Sequence, residues 1–373
     1  MNPNDLDLSD TQRAELATHH FDAAAFASLR RAYLDGEMTS ETNRVAGVVS
    51  LPEEGDILTV DPARIEELEA IGRAAIEAGE LGMLILNGGM ATRFGGVVKG
   101  CVDVFDGLSF LAVKIKDAAR WGGKVPMILM NSFATDAATK AHLEDNAHFG
   151  LDPALIDSFT QDISLRLTPG GEIWRDADGE PSPYAPGHGD LPSAIGRGAL
   201  ERFRARGGKY LWMSNVDNVL ATCDPAMLGA HIEASRARDV AMTVEAAPLY
   251  PGDKGGMPAR VDGDLQIVEN FRFPADFDHS SIPVFNTNTF IFDADALARG
   301  FDLTWFVVEK TVDGRPAIQF ERLCGELSAF LPTQFLAIER DGLGSRFLPI
   351  KQPQDLDDAR DLLARAMKAR GVL

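Results

Sequence analysis

The chain of 373 residues is 45% apolar and carries a formal net charge of −20. It can bury a large core, but it lacks the basic face that general binding to nucleic acid or to an anionic membrane requires. A phosphorylated small molecule is not excluded, because a local basic pocket can oppose the global field.

In chain order, residues 9–35 are predicted to form one helix, opened by a capping box of Ser9 and Gln12. Residues 40–60 read as a connector. A second helix starts at Asp61 with Pro62 in its first turn, buries Ile65, Leu68, Ile71 and Ala75, and stops at Gly79. From there strands and helices alternate. "GMLILN", "VPMILMNS", "LIDSFTQD", "YLWMSNVDNV" and "VAMTVEAA" read as strands. "SFLAVKIKDAARWGG", "ATDAATKAHLEDNAHFG", residues 192–206 and "DPAMLGAHIEASRAR" read as helices. Residues 255–275 switch to a hairpin turning at Asp262-Gly263, and "QPQDLDDARDLLARAMKAR" is an amphipathic helix. This alternation predicts an α/β fold with a doubly wound, mostly parallel Rossmann-like sheet. It divides the chain into a helical extension over 1–79, a body over 80–350 and a C-terminal helix over 351–373.

Cys101, Cys223 and Cys324 are far apart and form no CxxC pair, which suggests reduced thiols in a cytoplasmic protein. No apolar run approaches the roughly 20 residues that cross a bilayer, and the acidic start "MNPNDLDLSD" does not read as a secretory signal.

Ligands of such sheets sit at the carboxyl ends of the strands. Polar and glycine-rich clusters fall there: Asn87-Gly88-Gly89, Met130-Asn131-Ser132, and Ser214 to Asn218. The first opens "ILNGGMATRFGGVVKG", two stretches of bare backbone with Arg93 and Lys99. The spacing matches neither a P-loop nor the GxGxxG dinucleotide fingerprint, which counts against a nicotinamide-dependent dehydrogenase. Glycines still let backbone N–H groups approach an anion, and the two cations can add charge-assisted contacts. An ordinary strand-to-helix loop with solvated cations is the bland alternative.

"LNGGMATRFGGVVKG" resembles the nucleotide loop of the UDP-sugar pyrophosphorylases, and the chain as a whole resembles the UTP–glucose-1-phosphate uridylyltransferase family. "VPMILMNSFATD", "DSFTQD", "YAPGHGD", "LWMSNVDN", "KGGMPARVDGDLQIVE", "FNTNTFIF", "AIQFERLCGEL" and "SRFLPIKQPQDL" follow in family order, from about residue 82 to residue 356. The resemblance implies an enzyme with a nucleotidyltransferase catalytic domain over 80–350. Its substrates would be UTP and glucose 1-phosphate, and its products UDP-glucose and pyrophosphate. Another sugar 1-phosphate, of galactose or an N-acetylhexosamine, or a catalytically silent nucleotide-sugar binder, are the alternatives.

The resemblance also implies roles. Lys99 and Lys351 would contact phosphates, with Arg93 facing pyrophosphate. Asn87, Gly88, Gly89, Gln161, Gly187 and Asn215 would hold the nucleotide, with Gln161 reading uracil. His188, Lys254, Glu269, Asn286 and Asn288 would hold the sugar phosphate. Asp217 would bind Mg²⁺, a hard cation that takes one or two carboxylates plus phosphate oxygens. Without the resemblance, "FNTNT" reads equally well as a polar turn before the strand "FIF". Met130, Ala91 and Trp174 read as packing.

Three departures from the family pattern stand out. Val98 replaces the proline usual before the loop lysine, and Gln352-Pro353 replace hydroxyl residues after Lys351. The C-terminal β-helix of the eukaryotic glucose enzymes is expected to be replaced here by a short helix, so no oligomeric state carries over.

Overall fold

Segments such as Leu81–Leu86 and Met127–Asn131 contain no charge and leave no face for water, so both faces of the sheet they build must be covered. The computed structural model describes residues 6–91, 94–105, 107–253 and 255–373. Eight strands form the central sheet: β1 (Ile57–Leu58), β2 (Leu81–Leu86), β3 (Met127–Asn131), β4 (Ile156–Thr160), β5 (Tyr210–Asn215), β6 (Met242–Pro248), β7 (Val284–Asp293) and β8 (Thr333–Ala337). Their spatial order is β1-β8-β6-β7-β5-β2-β3-β4. All neighbours run parallel except β7, which is antiparallel to both β5 and β6. The mostly parallel sheet expected from the alternating pattern is therefore present.

The helices are α1 (Asp10–Thr18), α2 (Ala23–Leu34), α3 (Ile65–Glu77), α4 (Phe110–Ala119), α5 (Asp136–Asp145), α6 (Leu191–Ile195), α7 (Ala199–Ala205), α8 (Pro225–Arg238) and α9 (Pro353–Ala369). The single helix expected over 9–35 is two. The chain breaks at His20, whose φ of 62° leaves the helical region, and Asp22 caps α2 through Ala24 N and Ala25 N at 3.0 and 2.9 Å. Residues 192–206 likewise split at Gly196–Gly198, where Gly198 has φ 125°. The connector over 40–60 also contributes strands: β1 pairs with β8, and Val49–Ser50 pairs with Met257–Val261. The hairpin falls as expected, with Asp262 and Gly263 at φ 52° and 96°, both positive as a type I′ turn requires.

One continuous apolar cluster runs through the sheet and reaches α9, where Leu363, Ala366 and Met367 are fully buried. No helix among the described residues is long and apolar enough to cross a membrane. All three cysteines are free.

Helix α3 lies on α8 with backbone nearly touching backbone. The buried face of α3 is Leu68, Gly72, Ala75 and Ile76, whereas Ile65, expected on it, is 38% exposed. A Cβ at Gly72 would collide with Pro225 O, and one at Gly229 with Leu68 O. Two opposing effects meet at Gly229→Ala. Helix propensity favours alanine by about 1 kcal/mol, while overpacking against rigid backbone costs about 1–3 kcal/mol. Because a carbonyl oxygen in a helix cannot swing aside, we expect net destabilisation, read as a lower urea midpoint with unchanged m-value. A midpoint equal to or above wild type would show that the two helices separate at little cost.

Candidate active site

The order of strands reverses between β2 and β5, since the chain proceeds from β2 to β3 and β4 on one side and continues with β5 on the other. The crevice outside the carboxyl ends of strands at such a switch point is where open α/β sheets bind ligands. Leu86 lies level with Asn215 on one side and Met130 on the other. Asn87, Asn131 and the turn from Asn215 to Asn218 therefore emerge together.

The stretch after β2 forms a small arch rather than an open loop. Met90–Ala91 pairs with Val97–Val98, and Gly95 and Gly96 turn with φ of 86° and 79°. Asn87 is completely buried beneath it, donating to Asn131 Oδ1 at 2.8 Å and Thr139 Oγ1 at 2.9 Å. Lys99 opens the 3₁₀ turn Lys99–Cys101 at the foot of the arch and forms an ion pair with Asp217 from the β5 turn. The two side chains are 18% and 16% exposed, so the pair sits at the mouth of the crevice, partly shielded from water.

Gln161, just past β4, ties two glycine loops together. Its Nε2 donates to Gly187 O at 2.7 Å, and its Oε1 occupies the space a Cβ at Gly88 would need. Gly89, by contrast, opens onto free space. Gly187, at φ 94°, and Gly189 lie directly against the backbone of Arg322, where neither could carry a side chain.

Between His188 and the N-terminal end of β7 lies a cleft of about 210 Å³, lined by His188, Asn215, Asp217, Glu269, Asn286, Asn288 and Lys351 among others. The bland alternative for "FNTNT", a turn before a strand, does not hold: it lies inside β7. The pairing of β6 and β7 shifts register between Val244 and Ala246, and Asn288 takes φ 57° in this bulge. That geometry turns Asn288 to donate to Asn215 Oδ1 at 2.8 Å, while its own Oδ1 is buried with no partner among the described residues. A buried acceptor without a donor is costly, and a hydroxyl-bearing ligand would satisfy it.

His188 accepts from Cys324 N at its Nδ1, at 3.0 Å. That bond leaves the proton on Nε2 in the neutral ring. Burial lowers its pKa to about 4, so at neutral pH it is an uncharged donor. Glu269 shares the cleft, with the backbone of Gly256 and Gly325 close against it. Burial raises its pKa to about 7, partly offset by Arg272.

Arg93 and Lys254 lie outside the described residues. Of the other residues expected at the site, Lys99, Asp217, Lys351, Asn215, His188, Glu269, Asn286 and Asn288 gather at the crevice, and Gln161, Gly88 and Gly187 form a second contact. Asn87 and Gly89 join neither group: the Asn87 side chain is turned into the interior by its bonds to Asn131 and Thr139, and Gly89 has open space beside it. Met130 and Trp174 are buried, as packing residues should be.

Two residues that sequence reasoning passed over brace the Asp217 turn. Lys114, on α4, is completely buried and donates to Ser214 Oγ, Asn218 O and Ala221 O at 3.1, 2.7 and 2.7 Å. Burial lowers its pKa to about 8, which leaves it mostly protonated at neutral pH. Arg346, also buried, forks onto Glu245 at 2.7 and 3.1 Å, and its carbonyl accepts from Asn218 Nδ2 at 3.3 Å. Asn218 Oδ1 accepts from Leu348 N at 2.9 Å, and Asp217 O from Ile350 N at 3.1 Å. These bonds place Lys351 on the rim shared with Asp217. The only sequence signal was a charge at a core-facing helical position, which "SFLAVKIKD" conceals because Lys116 follows two residues later.

The family model described as UTP–glucose-1-phosphate uridylyltransferase matches residues 23–366. The chain belongs to this family. It is 29% identical over 325 residues to the Solanum tuberosum UTP–glucose-1-phosphate uridylyltransferase, covering 80% of this chain and 63% of that one. A relative from Astragalus penduliflorus with the same description is 30% identical over 297 residues, covering 74% and 61%. The chain thus spans less than two thirds of the length of either. Among solved structures, the Trypanosoma brucei UDP-N-acetylglucosamine pyrophosphorylase shares the fold with a TM-score of 0.76 at 22% identity, covering 96% of this chain and 79% of that one. A Leishmania major UDP-glucose pyrophosphorylase does so with a TM-score of 0.71 at 22% identity, covering 95% and 80%.

The raised pKa of Glu269 has a signed consequence for stability. The native state favours the protonated carboxyl, so its stabilising share is full below the ordinary 4.5 and is lost as pH rises through about 7. Glu269→Gln should therefore flatten the decline in the urea midpoint over that window. Identical pH profiles for the two proteins would show that the carboxyl is not desolvated.

Proposed function

We propose that this chain is a uridylyltransferase that makes UDP-glucose and pyrophosphate from UTP and glucose 1-phosphate. The observation that carries the reading is the Lys99–Asp217 pair, set at the switch-point crevice of a family member and bordered by a polar cleft lined by Asn215, Asn286, Asn288, His188 and Glu269. A phosphate oxygen of the sugar phosphate attacks the α-phosphorus of UTP in line, the α–β bridging bond breaks, and pyrophosphate leaves with those electrons. No covalent enzyme intermediate is needed. The difficulty is bringing two polyanions together, so the protein's task is positioning and charge compensation.

On this reading Lys99 and Lys351 hold phosphate oxygens. Gln161, with Gly88 and Gly187, forms the seat for uracil, where an amide offers both a donor and an acceptor. Asn215 bridges nucleotide and sugar. Asn286, Asn288 and Glu269 take sugar hydroxyls, and His188 donates from Nε2 without exchanging a proton in the reaction. Arg93 and Lys254 are assigned to pyrophosphate and the sugar phosphate by family resemblance alone.

Among the described residues no three His, Cys, Asp or Glu side chains group to form a metal cage. One carboxylate beside a phosphate site is nonetheless the donor set that suits Mg²⁺, which keeps waters and substrate oxygens as its other ligands. Asp217 would hold it, exchanging Lys99 for the ion. The ion supplies charge neutralisation between the reacting phosphates. We assign residues 80–350 as the catalytic body, flanked by 1–79 and 351–373, and place the protein in the cytoplasm on the strength of its free thiols.

The test is pyrophosphate release from UTP and Mg²⁺ with glucose, galactose and N-acetylglucosamine 1-phosphates. Glucose 1-phosphate should react fastest. Inert glucose 1-phosphate beside an active N-acetylhexosamine or galactose substrate would move the assignment to that sugar. Silence with all three, with UDP-glucose still bound, would make the chain a nucleotide-sugar binder. Lys99→Ala should lower kcat by about 10²–10³, the scale of removing one preorganised electrostatic contact, while circular dichroism stays unchanged. Near-normal turnover would remove Lys99 from the chemistry.

A further inference from the structure

An amide reads a base by the order of its donor and acceptor, and a half-turn about its last side-chain bond reverses that order. Uracil offers an N–H beside a carbonyl oxygen, whereas cytosine offers a bare nitrogen beside an amino group. A freely turning Gln161 would therefore take either base. In this structure Gly187 O forbids the half-turn. It accepts from Gln161 Nε2 at 2.7 Å, and the reversed amide would set Oε1 against another acceptor. The choice of base thus depends on whatever fixes Gly187 O.

The loop over 186–190 does not fix itself. It holds only the 3₁₀ turn His188–Asp190, a single short turn. Its template is the stretch 322–324, which leaves the strand Arg315–Glu321. Arg322 N donates to Pro186 O at 2.8 Å, Gly189 N to Arg322 O at 2.9 Å, and Cys324 N to His188 Nδ1 at 3.0 Å.

The Arg322 side chain adds a link that those bonds do not make. Its Nη2 forms an ion pair with Asp190, whose side chain is completely buried, and stands 3.9 Å from Asp162, the residue after Gln161. Asp162 is held on its other oxygen by Arg197 at 2.6 Å. The guanidinium lies over the Trp305 ring, 4.1 Å from its centroid, which fixes the plane of the fork. One cation therefore spans the two segments that meet at Gln161 and Gly187. Burial pushes the Asp190 carboxyl up to a pKa of about 6, and Arg322 opposes that rise. Removing the guanidinium would leave an interior carboxylate without its countercharge and the loop without its tie to Asp162.

We propose that Arg322 is a positioning residue for base selection: through Asp190 and Asp162 it holds Gly187 O where it locks the Gln161 amide in the order that accepts uracil and refuses cytosine. The inference rests on the assignment of Gln161 to the base, and adds the residue that keeps the amide from turning over.

The experiment is calorimetric titration of the full chain with UTP and with CTP, each with Mg²⁺ and without sugar phosphate. The readout is the ratio of the two affinities. Wild type should favour UTP. Arg322→Met, which keeps an unbranched stem, should lower the ratio at least about tenfold, the scale of one hydrogen bond to the base gained or left unmade. Arg322→Lys, which keeps the charge but not the planar fork, should lower it less. Partial unfolding removes sites for both nucleotides alike and leaves the ratio where it was, so a merely structural arginine would not move it. An unchanged ratio in every variant that binds nucleotide overturns the proposal and leaves the uridylyltransferase reading standing. A wild type that does not distinguish UTP from CTP removes the uracil seat itself, and the proposal with it.

Discussion

The ion pair between Lys99 and Asp217 joins two elements far apart in sequence, the arch after β2 and the turn after β5, across the switch point between those two strands. In a molecule of net charge −20, a cation at that crevice needs local support to face an anionic ligand. Asp217 provides it at rest by neutralising Lys99 within the protein. A phosphate ligand and a hard cation together can replace both halves of the pair, each charge exchanging one partner for another. That exchange keeps either group from being left buried and alone, the condition that makes broken internal ion pairs so expensive.

The pair can act this way because the turn beneath it is held firmly. Lys114 brings a buried ammonium to three oxygen acceptors, and it is tolerated there because all three of its protons are used. Arg346 and Glu245 neutralise each other in the core, and Arg346 passes its rigidity to Asn218. Asn218 then pairs with the strand-like segment leading to Lys351. Lys99 and Lys351, far apart in sequence, are thereby fixed relative to one carboxylate by a continuous chain of polar contacts.

Elements with a single strong determinant were legible in the sequence. The buried strands, the Asp262-Gly263 turn and the Pro225 helix start each depend on local composition or a local backbone requirement, and the structure has them where that reading puts them, whereas Pro62 opens a 3₁₀ turn that runs into α3 only at Ile65. Features set by tertiary partners were not legible. His20 breaks a helix-like run through its backbone angle alone, and residues 57–58 become a strand only because β8 lies alongside. The bulge that presents Asn288 arises from a register shift against β6, which a polar "NTN" does not reveal. Lys114 and Arg346 read as ordinary charges, since nothing local distinguishes a buried cation whose partners lie about a hundred residues away.

Protonation sorts the groups of the cleft into two kinds. His188, with its pKa near 4, is neutral at physiological pH, and Glu269, near 7, is only partly ionised. With the amides of Asn215, Asn286 and Asn288 they form a polar wall of little charge, able to give and accept hydrogen bonds at modest desolvation cost. The charged groups Lys99, Asp217 and Lys351 stand at the same crevice. A sugar phosphate has the same division, a neutral polyhydroxyl ring and an anionic head. On the proposed assignment such a molecule would be oriented before any bond changes, because the buried oxygen of Asn288 gains a partner only when the hydroxyl-bearing ring lies beside it. Orientation is also what an in-line transfer without a covalent intermediate most needs.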